Sequence, residues 1–375
     1  MRDRPTPFLD SCSASPFVAA YVRELAGEGP PLETRIHPAD EMYRHELRLH
    51  HESRAAAALL YFSAGHQVFR TLEEIVAWRF GGFGGVRSFL DFAGGYGRFG
   101  RFLARRMAPE KIAVAEIDPA GVGFQEETLG VRGFVSDADP EAFRPGGPYD
   151  VVFASSFFSH LPAARFEAWF ARLRSLVAPG GVLVFSTHGM HLLPQEARAE
   201  GGIVFRPVSE TTRLDGSEYG TSWVTSEFVR AATDRVCIRE DRLLAFPSGL
   251  GGYQDLYVLL RPPLPAVLDW KPARFPLGAC DRTHISPDGL VSAEGWALGD
   301  ADERPPEIRL YLGGRVAQTR PGEGECGARR RWEVAFPLSD VGPEDIVRIE
   351  AQSARGLSKI LILSPMKPYL PAASL

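Results

Sequence analysis

The period of the apolar positions changes twice along the chain. Between Pro38 and Phe80, Ala, Leu, Glu and Arg recur freely without alternation, so residues 1–85 read as a mostly helical prelude, with Pro38 at a first helical turn after His37. From Ser88 to Pro262 short apolar runs alternate with helical stretches, the pattern of β-α units and a mostly parallel sheet. Phe166, Trp169, Phe170, Leu173, Leu176 and Val177 recur at helical spacing there, which predicts a helix face packed on the sheet. The segment RPPLPAVLDWKPA, residues 261–273, concentrates prolines and marks a boundary. Beyond it the period is two: Ile308, Leu310 and Leu312 run into Gly313-Gly314, a hairpin signal, and Trp332, Val334, Phe336 and Leu338 alternate again. The expected architecture is α/β: a seven-stranded, mostly parallel Rossmann-like sheet over residues 86–262 behind the prelude of 1–85. A proline-rich linker of 263–273 then leads to a separate all-β sandwich of 274–375.

Composition narrows the function classes. With 45% apolar and 24% charged residues in 375, the chain has enough apolar side chain for sizeable cores. The net charge of −5 shows no footprint for a phosphate backbone, so nucleic acid is not an expected partner. Cys12, Cys237, Cys280 and Cys326 are far apart and form no CxxC pair, which fits neither a zinc site nor a dense disulfide framework. MRDRPTPFLDS lacks an apolar run of signal-peptide length, and no stretch approaches the roughly 18 apolar residues of a membrane span. A cytoplasmic enzyme without membrane insertion is expected, and abundant Ala, Gly, Pro and Arg beside only four lysines read as a GC-rich bacterial coding bias. Oligomeric state stays open.

The chemistry concentrates in FLDFAGGYGRFGRFL, residues 89–103: an apolar strand, an acid at its end, a glycine-rich turn and then a helix. Glycines let backbone approach a ligand closely and offer N–H groups at a helix start. Such turns also serve dinucleotides, flavins or plain packing. The segments that follow decide between these: KIAVAEIDP ends a second strand with Glu116, positioned to accept both hydroxyls of a ribose, and FVSDADPEAF ends a third with Asp137 and Ala138. YDVVFASSFFSHLP and APGGVLVFSTHG supply a fourth and a fifth.

Across residues 86–262 these segments resemble the class I S-adenosylmethionine-dependent methyltransferases. The resemblance implies S-adenosylmethionine as cofactor and S-adenosylhomocysteine as product. It places Asp91, Gly94, Gly95 and Gly97 near the methionine portion, Glu116 on ribose, Ile117 against the adenine face and Asp137 and Ala138 at the adenine edge, and counts Ser155 among the cofactor-binding residues. Asp118 is the rival for the ribose role. The family's first loop glycine is Ala93 here, acceptable where φ stays negative, so a slightly altered loop is expected. YGTSWVTSEFVRAA resembles the fold's late helix, with Thr225 or Ser226 as N-cap, and GYQDLYVLLRP its final antiparallel strand.

Methyl transfer is an in-line attack on a sulfonium, so the enzyme aligns a nucleophile and removes a proton where the pKa requires it. His188, after the fifth strand, and His160, at the helix after the fourth, are the candidate bases, His160 also reading as a packing residue and His191 as a solvated one. Residues 190–224 are the expected acceptor-recognition insertion. Asp40, Tyr43, Tyr61 and Gly65 read either as a lid or as ordinary amphipathic helix. The spacing of His45, His50 and His51 does not converge three imidazoles, so no metal is expected. GLVSAEGWALGD with PPEIRLYLGGRV resembles a β-sandwich module attached to bacterial glycan-modifying enzymes, which points to a glycan or small-molecule acceptor; Trp296 and Trp332 are either sugar-stacking or core residues. The reading is O-methylation of a sugar, glycan or small metabolite. The alternatives are an inactive cofactor-binding scaffold and a small-molecule N-methyltransferase, with a dehydrogenase disfavoured by the strand motifs.

Overall fold

The computed structural model describes residues 9–10, 15–50, 52–194, 201–208, 214–300, 303–325, 327–342 and 345–365. It divides into two units, one of residues 39–41 and 71–272, the other of residues 1–38, 42–70 and 273–375.

In the 71–272 unit the apolar runs become strands β1 (Phe89–Phe92), β2 (Ile112–Glu116), β3 (Arg132–Val135), β4 (Tyr149–Ala154) and β5 (Val177–Gly189). They continue as β6 (Ile203–Arg206), β7 (Thr221–Val224), β8 (Arg242–Leu250) and β9 (Gln254–Leu260). β1 and β4 are buried along their whole length, as strands covered on both faces must be, which is why they read as mainly apolar runs without alternation, broken only by Asp91 and Asp150. The sheet runs β8-β9-β5-β4-β1-β2-β3. β1 to β5 pair in parallel, while β9 is antiparallel to both β5 and β8. Beyond these seven strands, β7 joins the end of β5 and β6 pairs with β7, so the segment read as an insertion carries two strands of its own.

Chain order fixes where a ligand can enter. From β1 the chain steps outward through β2 and β3, then returns to the other flank of β1 as β4. That reversal leaves a crevice beyond the carboxyl ends of β1 and β4, the usual place for a ligand in an open α/β sheet. The described α-helices are α1 (Pro16–Ala26), α2 (Glu41–Leu49), α3 (Arg54–Phe80), α4 (Gly100–Leu103), α5 (Pro119–Leu129), α6 (Ala163–Ser175) and α7 (Ser226–Asp234). Pro38 does not open a helix: α2 starts at Glu41, and Pro38 lies in the turn before it. α6 buries Phe166, Trp169, Phe170 and Leu173 as the period predicts, but Leu176 caps it and Val177 already belongs to β5. An apolar strand following directly on an apolar helix face extends the apparent period past the helix end. Thr225 caps α7, its side chain accepting from Phe228 N–H at 3.1 Å.

The core beneath the crevice is aromatic. Phe92 of β1, Phe157 and Trp169 of α6 meet with ring centroids 4.8–5.2 Å apart, and Phe143 closes on Phe92 at 5.2 Å.

In the other unit the alternating C-terminal segments are β10 (Leu277–Ile285), β11 (Leu290–Leu298), β12 (Glu307–Leu312), β13 (Arg315–Arg320), β14 (Arg330–Pro337), β15 (Ile346–Gln352) and β16 (Ser358–Pro365). They form sheets β10-β11-β14 and β13-β12-β15-β16, and Gly313-Gly314 makes the β12–β13 turn. Val291, Ala293, Trp332 and Phe336 from one sheet meet Ile308, Leu310, Val347 and Ile349 from the other in one buried cluster, a sandwich core. α1 belongs to this unit. Arg348 lies 4.2 Å over the Tyr21 ring and 3.8 Å over Tyr311, 3.1 Å from the Glu24 carboxylate and 3.3 Å from that of Glu350. Burial, only partly offset by Arg348, pushes the Glu350 carboxyl up to about 7. Trp296 lies under the guanidinium of Arg329 at 4.1 Å.

Trp169 is 4% exposed and touches three aromatic neighbours that hold the crevice floor. Trp169→Ala is expected to cost about 3–5 kcal/mol, measured as a lowered urea midpoint with unchanged slope.

Candidate functional site

The loop after β1 is built on one buried acid and four neighbours of restricted shape. Asp91 is 4% exposed, and its Oδ2 has no hydrogen-bond partner among the described residues. Desolvation, with the nearby Glu116 charge adding to it, pushes its carboxyl up to about 8. A side chain at Gly94 would stand 2.8 Å from Asp91 Oδ2 and 2.8 Å from Val114, so glycine is required for the loop to fold over the acid. Gly97 combines φ +75° with Gln125 at 3.1 Å from any added Cβ. Gln125 Nε2 in turn donates to the Gly95 carbonyl at 3.0 Å, tying the loop to α5.

Ala93 departs from expectation. Its φ is +57°, in the left-handed region, so the condition that φ stay negative fails. The loop keeps the conformation that glycine would adopt and alanine bears the strain; Ala93 N–H is held at 2.8 Å by the Ala115 carbonyl, which gives the backbone no freedom to relax.

Glu116 ends β2 and receives two backbone donors, Gly95 N–H on Oε2 at 2.9 Å and Asp118 N–H on Oε1 at 3.1 Å. Burial raises its pKa, while those backbone hydrogen bonds lower it. A carboxylate has about four lone-pair sites, so acceptor capacity remains for two hydroxyls. Asp118 is occupied elsewhere: Oδ1 caps α5 through Ala120 N–H at 2.9 Å, and Oδ2 accepts the Tyr96 hydroxyl at 2.6 Å. Ile117 is half-buried between them. Asp137 and Ala138 are exposed past the end of β3, with Asp137 Oδ1 accepting Asp139 N–H at 2.9 Å. The orphaned Asp91 oxygen and the glycine positions fit a ligand with an ammonium-bearing tail, and Glu116 fits its ribose. These are the demands of S-adenosylmethionine.

At the exits of β4 and β5 a second cluster forms. Ser155 is half-buried after β4. Ser156 follows at φ +60°, its N–H held by Ser186 Oγ at 2.8 Å and its hydroxyl by Gln254 Oε1 at 3.1 Å. His160 Nδ1 lies 2.7 Å from the Gly220 carbonyl. A carbonyl only accepts, so Nδ1 carries the proton and Nε2 is left as the acceptor. The ring stacks on Tyr219 at 4.8 Å and meets His188 edge-on at 6.2 Å. His188 Nδ1 is buried with no partner among the described residues, while the ring is hydrogen-bonded to the Ser222 backbone. Desolvation, then the His160 and His191 charges, push the His188 imidazole down to about 4. His191 lies outside this pair, Nε2 3.1 Å from the Tyr253 carbonyl.

Sequence reasoning thus names residues of both clusters but misses Tyr96, Gln125, Tyr219, Ser222 and Gln254. Tyr96 stands inside the glycine motif and is legible there; the others are brought in by α5, by β7 and the turn before it, and by β9. Tyr43, Tyr61 and Gly65 fall in the other unit, where Tyr43 and Tyr61 are buried and pack edge to face at 6.0 Å; Asp40 is buried. His50 lies 3.8 Å from the Glu46 carboxylate, and His51, Cys12 and Cys326 lie outside the described residues. No helix among the described residues is long and apolar enough to cross a membrane.

Residues 64–213 match a family model described as a methyltransferase domain. Over this stretch the chain is similar to a methyltransferase domain. No curated protein matches the chain. Among solved structures, one described as "DhpI-SAM-HEP complex" is 20% identical, covering 59% of this chain and 94% of its own, at a TM-score of 0.39. The amino pentose methyltransferase CalS10 from Micromonospora echinaspora is 20% identical over 52% of this chain and 91% of its own, at 0.39. The magnesium protoporphyrin IX methyltransferase ChlM from Synechocystis PCC 6803 is 16% identical over 69% and 100%, at 0.35.

Relieving the left-handed alanine is a direct check on the loop. Ala93→Gly is expected to raise stability by about 0.5–1 kcal/mol, the strain released less the added entropy of the unfolded chain, seen as a higher melting temperature. A lower one would show that the methyl group's packing outweighs the strain.

Proposed function

Taking residues 64–213 as a methyltransferase domain, we propose that the chain methylates an oxygen of a small acceptor, with a sugar or glycan hydroxyl as the first class to test, and that His188 is the base. S-adenosylmethionine, when bound, supplies an electrophilic methyl group on a sulfonium. The residues proposed to hold it are Asp91, Gly94, Gly95 and Gly97 at the amino-acid tail, Glu116 at ribose, and Ile117, Asp137, Ala138 and Ser155 around the base.

The observation that carries the oxygen-acceptor reading is the state of His188. Its Nδ1 is buried and without a partner among the described residues, and the low pKa keeps the ring neutral at physiological pH. A neutral imidazole with an unused lone pair accepts the proton a hydroxyl loses as its oxygen is methylated; positioned bases contribute about 10²- to 10⁴-fold when their pKa lies near the working pH, and a value near 4 sets His188 toward the low end of that range. His160, turned by the Gly220 carbonyl so that Nε2 is its acceptor, is the second candidate.

A second reading, donor binding without turnover, is favoured by one observation, the strained Ala93 in the loop. It predicts donor affinity with no product for any acceptor.

Glu116→Gln is expected to weaken S-adenosylmethionine binding at least about tenfold in calorimetry, since a hydrogen bond from a ribose hydroxyl to a charged carboxylate is worth about 1.5–3 kcal/mol and the neutral amide accepts more weakly. Unchanged affinity would remove Glu116 from the ribose role. His188→Ala should lower kcat at least about tenfold at saturating donor while donor affinity stays the same. Because the base form of His188 exists above its pKa, the activity it supports is lost only as the pH falls toward about 4. kcat should therefore be flat from about pH 5.5 to 8, and an acid limb near the ordinary histidine value of about 6.5 would assign the base to another group.

A further inference from the structure

The β-sandwich holds a cavity of about 210 Å³ that no part of methyl transfer uses. Its walls come from both sheets: Ala297 of β11 and Trp332 of β14 on one side, Ile308 of β12 and Arg320 of β13 on the other. Ala297, Ile308 and Trp332 are 1%, 3% and 6% exposed and give it an apolar floor.

Trp332 has a single polar atom, Nε1, and that N–H is buried without a partner among the described residues. Its ring is seated against β11, where a side chain at the cross-strand Gly295 would come within 2.7 Å of Cζ2. An indole packed that closely cannot turn to find a partner elsewhere. The rim is cationic. Arg330 Nη1 donates to the Pro321 and Glu323 carbonyls at 2.6 and 2.8 Å, which fixes its charge at the mouth, and Arg331 Nη1 lies 3.5 Å from Asp281. Arg320 has no side-chain partner among the described residues. Glu333 is the one acid lining the cavity.

We propose that this cavity binds a small organic anion, a carboxylate or phosphate monoester carried on a ring of about monosaccharide size. The acid group pairs with Arg320 in the forked geometry guanidinium offers to carboxylate and phosphate, an oxygen of the ring accepts Trp332 Nε1–H, and the less polar ring face rests on Ala297 and Ile308. The site is independent of the methyl donor.

Calorimetry on the full chain tests it with glucuronate and glucose 6-phosphate, with glucose as the neutral counterpart and inorganic phosphate as the bare anion. At least one sugar acid should bind about tenfold more tightly than glucose and than phosphate, with affinity falling as salt is added; which of the two binds identifies the acid group. Arg320→Ala, at an exposed position, should weaken that binding about tenfold or more, and Trp332→Phe, which keeps the aromatic packing and removes the N–H, about fivefold. S-adenosylmethionine affinity should not change in either variant. No binding of either sugar acid, binding that both variants leave intact, or phosphate binding as tightly as the sugar acids would overturn the proposal.

Discussion

Two backbone N–H groups from different loops converge on the carboxylate of Glu116, and the geometry of the glycine loop depends on it. Gly95 belongs to the turn after β1 and Asp118 to the start of α5, so the acid ties adjacent strand exits into one rigid rim. Gln125 adds a second tie from α5 to the Gly95 carbonyl, and Tyr96 a third through Asp118. A loop held at three points presents its remaining groups in fixed positions, and ordering entropy is then already met when a ligand arrives. The same ties explain the strain at Ala93. Its N–H is fixed by the Ala115 carbonyl and the next residues are pinned by Glu116 and Gln125, so φ has no room to turn negative.

Much of this is legible in the sequence, because parallel strands and glycine turns write local signals. β1, β2 and β4 are short, largely apolar runs each followed by a turn, and the two acids that matter fall at strand ends, Glu116 as the last residue of β2 and Asp91 one residue before the end of β1. Periodicity reports which face is buried, not what it is buried against. It therefore runs past the end of α6 into β5 at Leu176 and Val177, and it does not reveal β6 and β7, whose pairing is set by the end of β5. The grouping of residues 1–38 and 42–70 with the C-terminal strands is of the same kind. It rests in part on Arg348, which sits between Tyr21 of α1 and Tyr311 of β12, an interaction spanning most of the chain length with no local trace.

The sign of φ at Ala93 shows a different limit. Alanine in place of a glycine reads naturally as evidence that the backbone there has left the left-handed region, since the cost of staying is about 1–2 kcal/mol. Sheet geometry overrides that preference: the N–H bond to Ala115 continues the parallel ladder by one residue past β1 and dictates the turn that must follow. A cost of that size is tolerable against total stabilities of about 5–15 kcal/mol.

Unpaired buried polar atoms separate structural residues from candidate binding ones. Arg79 Nε lacks a partner among the described residues, yet its Nη2 bonds the Gly180 and Pro263 carbonyls, so that guanidinium is largely satisfied within the chain. Asp91 Oδ2, His188 Nδ1 and Trp332 Nε1 are different. Asp91 is a desolvated acid, His188 offers a lone pair, and Trp332 has no second polar atom to share the loss. Each omission costs about 1–3 kcal/mol in the free protein, which a folded chain bears only at a few places. The three also differ in what they ask for: a cation or proton at Asp91, a donor at His188, an acceptor at Trp332. The first two lie near the carboxyl ends of their strands in one parallel sheet, Asp91 one residue before the end of β1 and His188 one before the end of β5, whereas the third lies in a sandwich beside a basic rim.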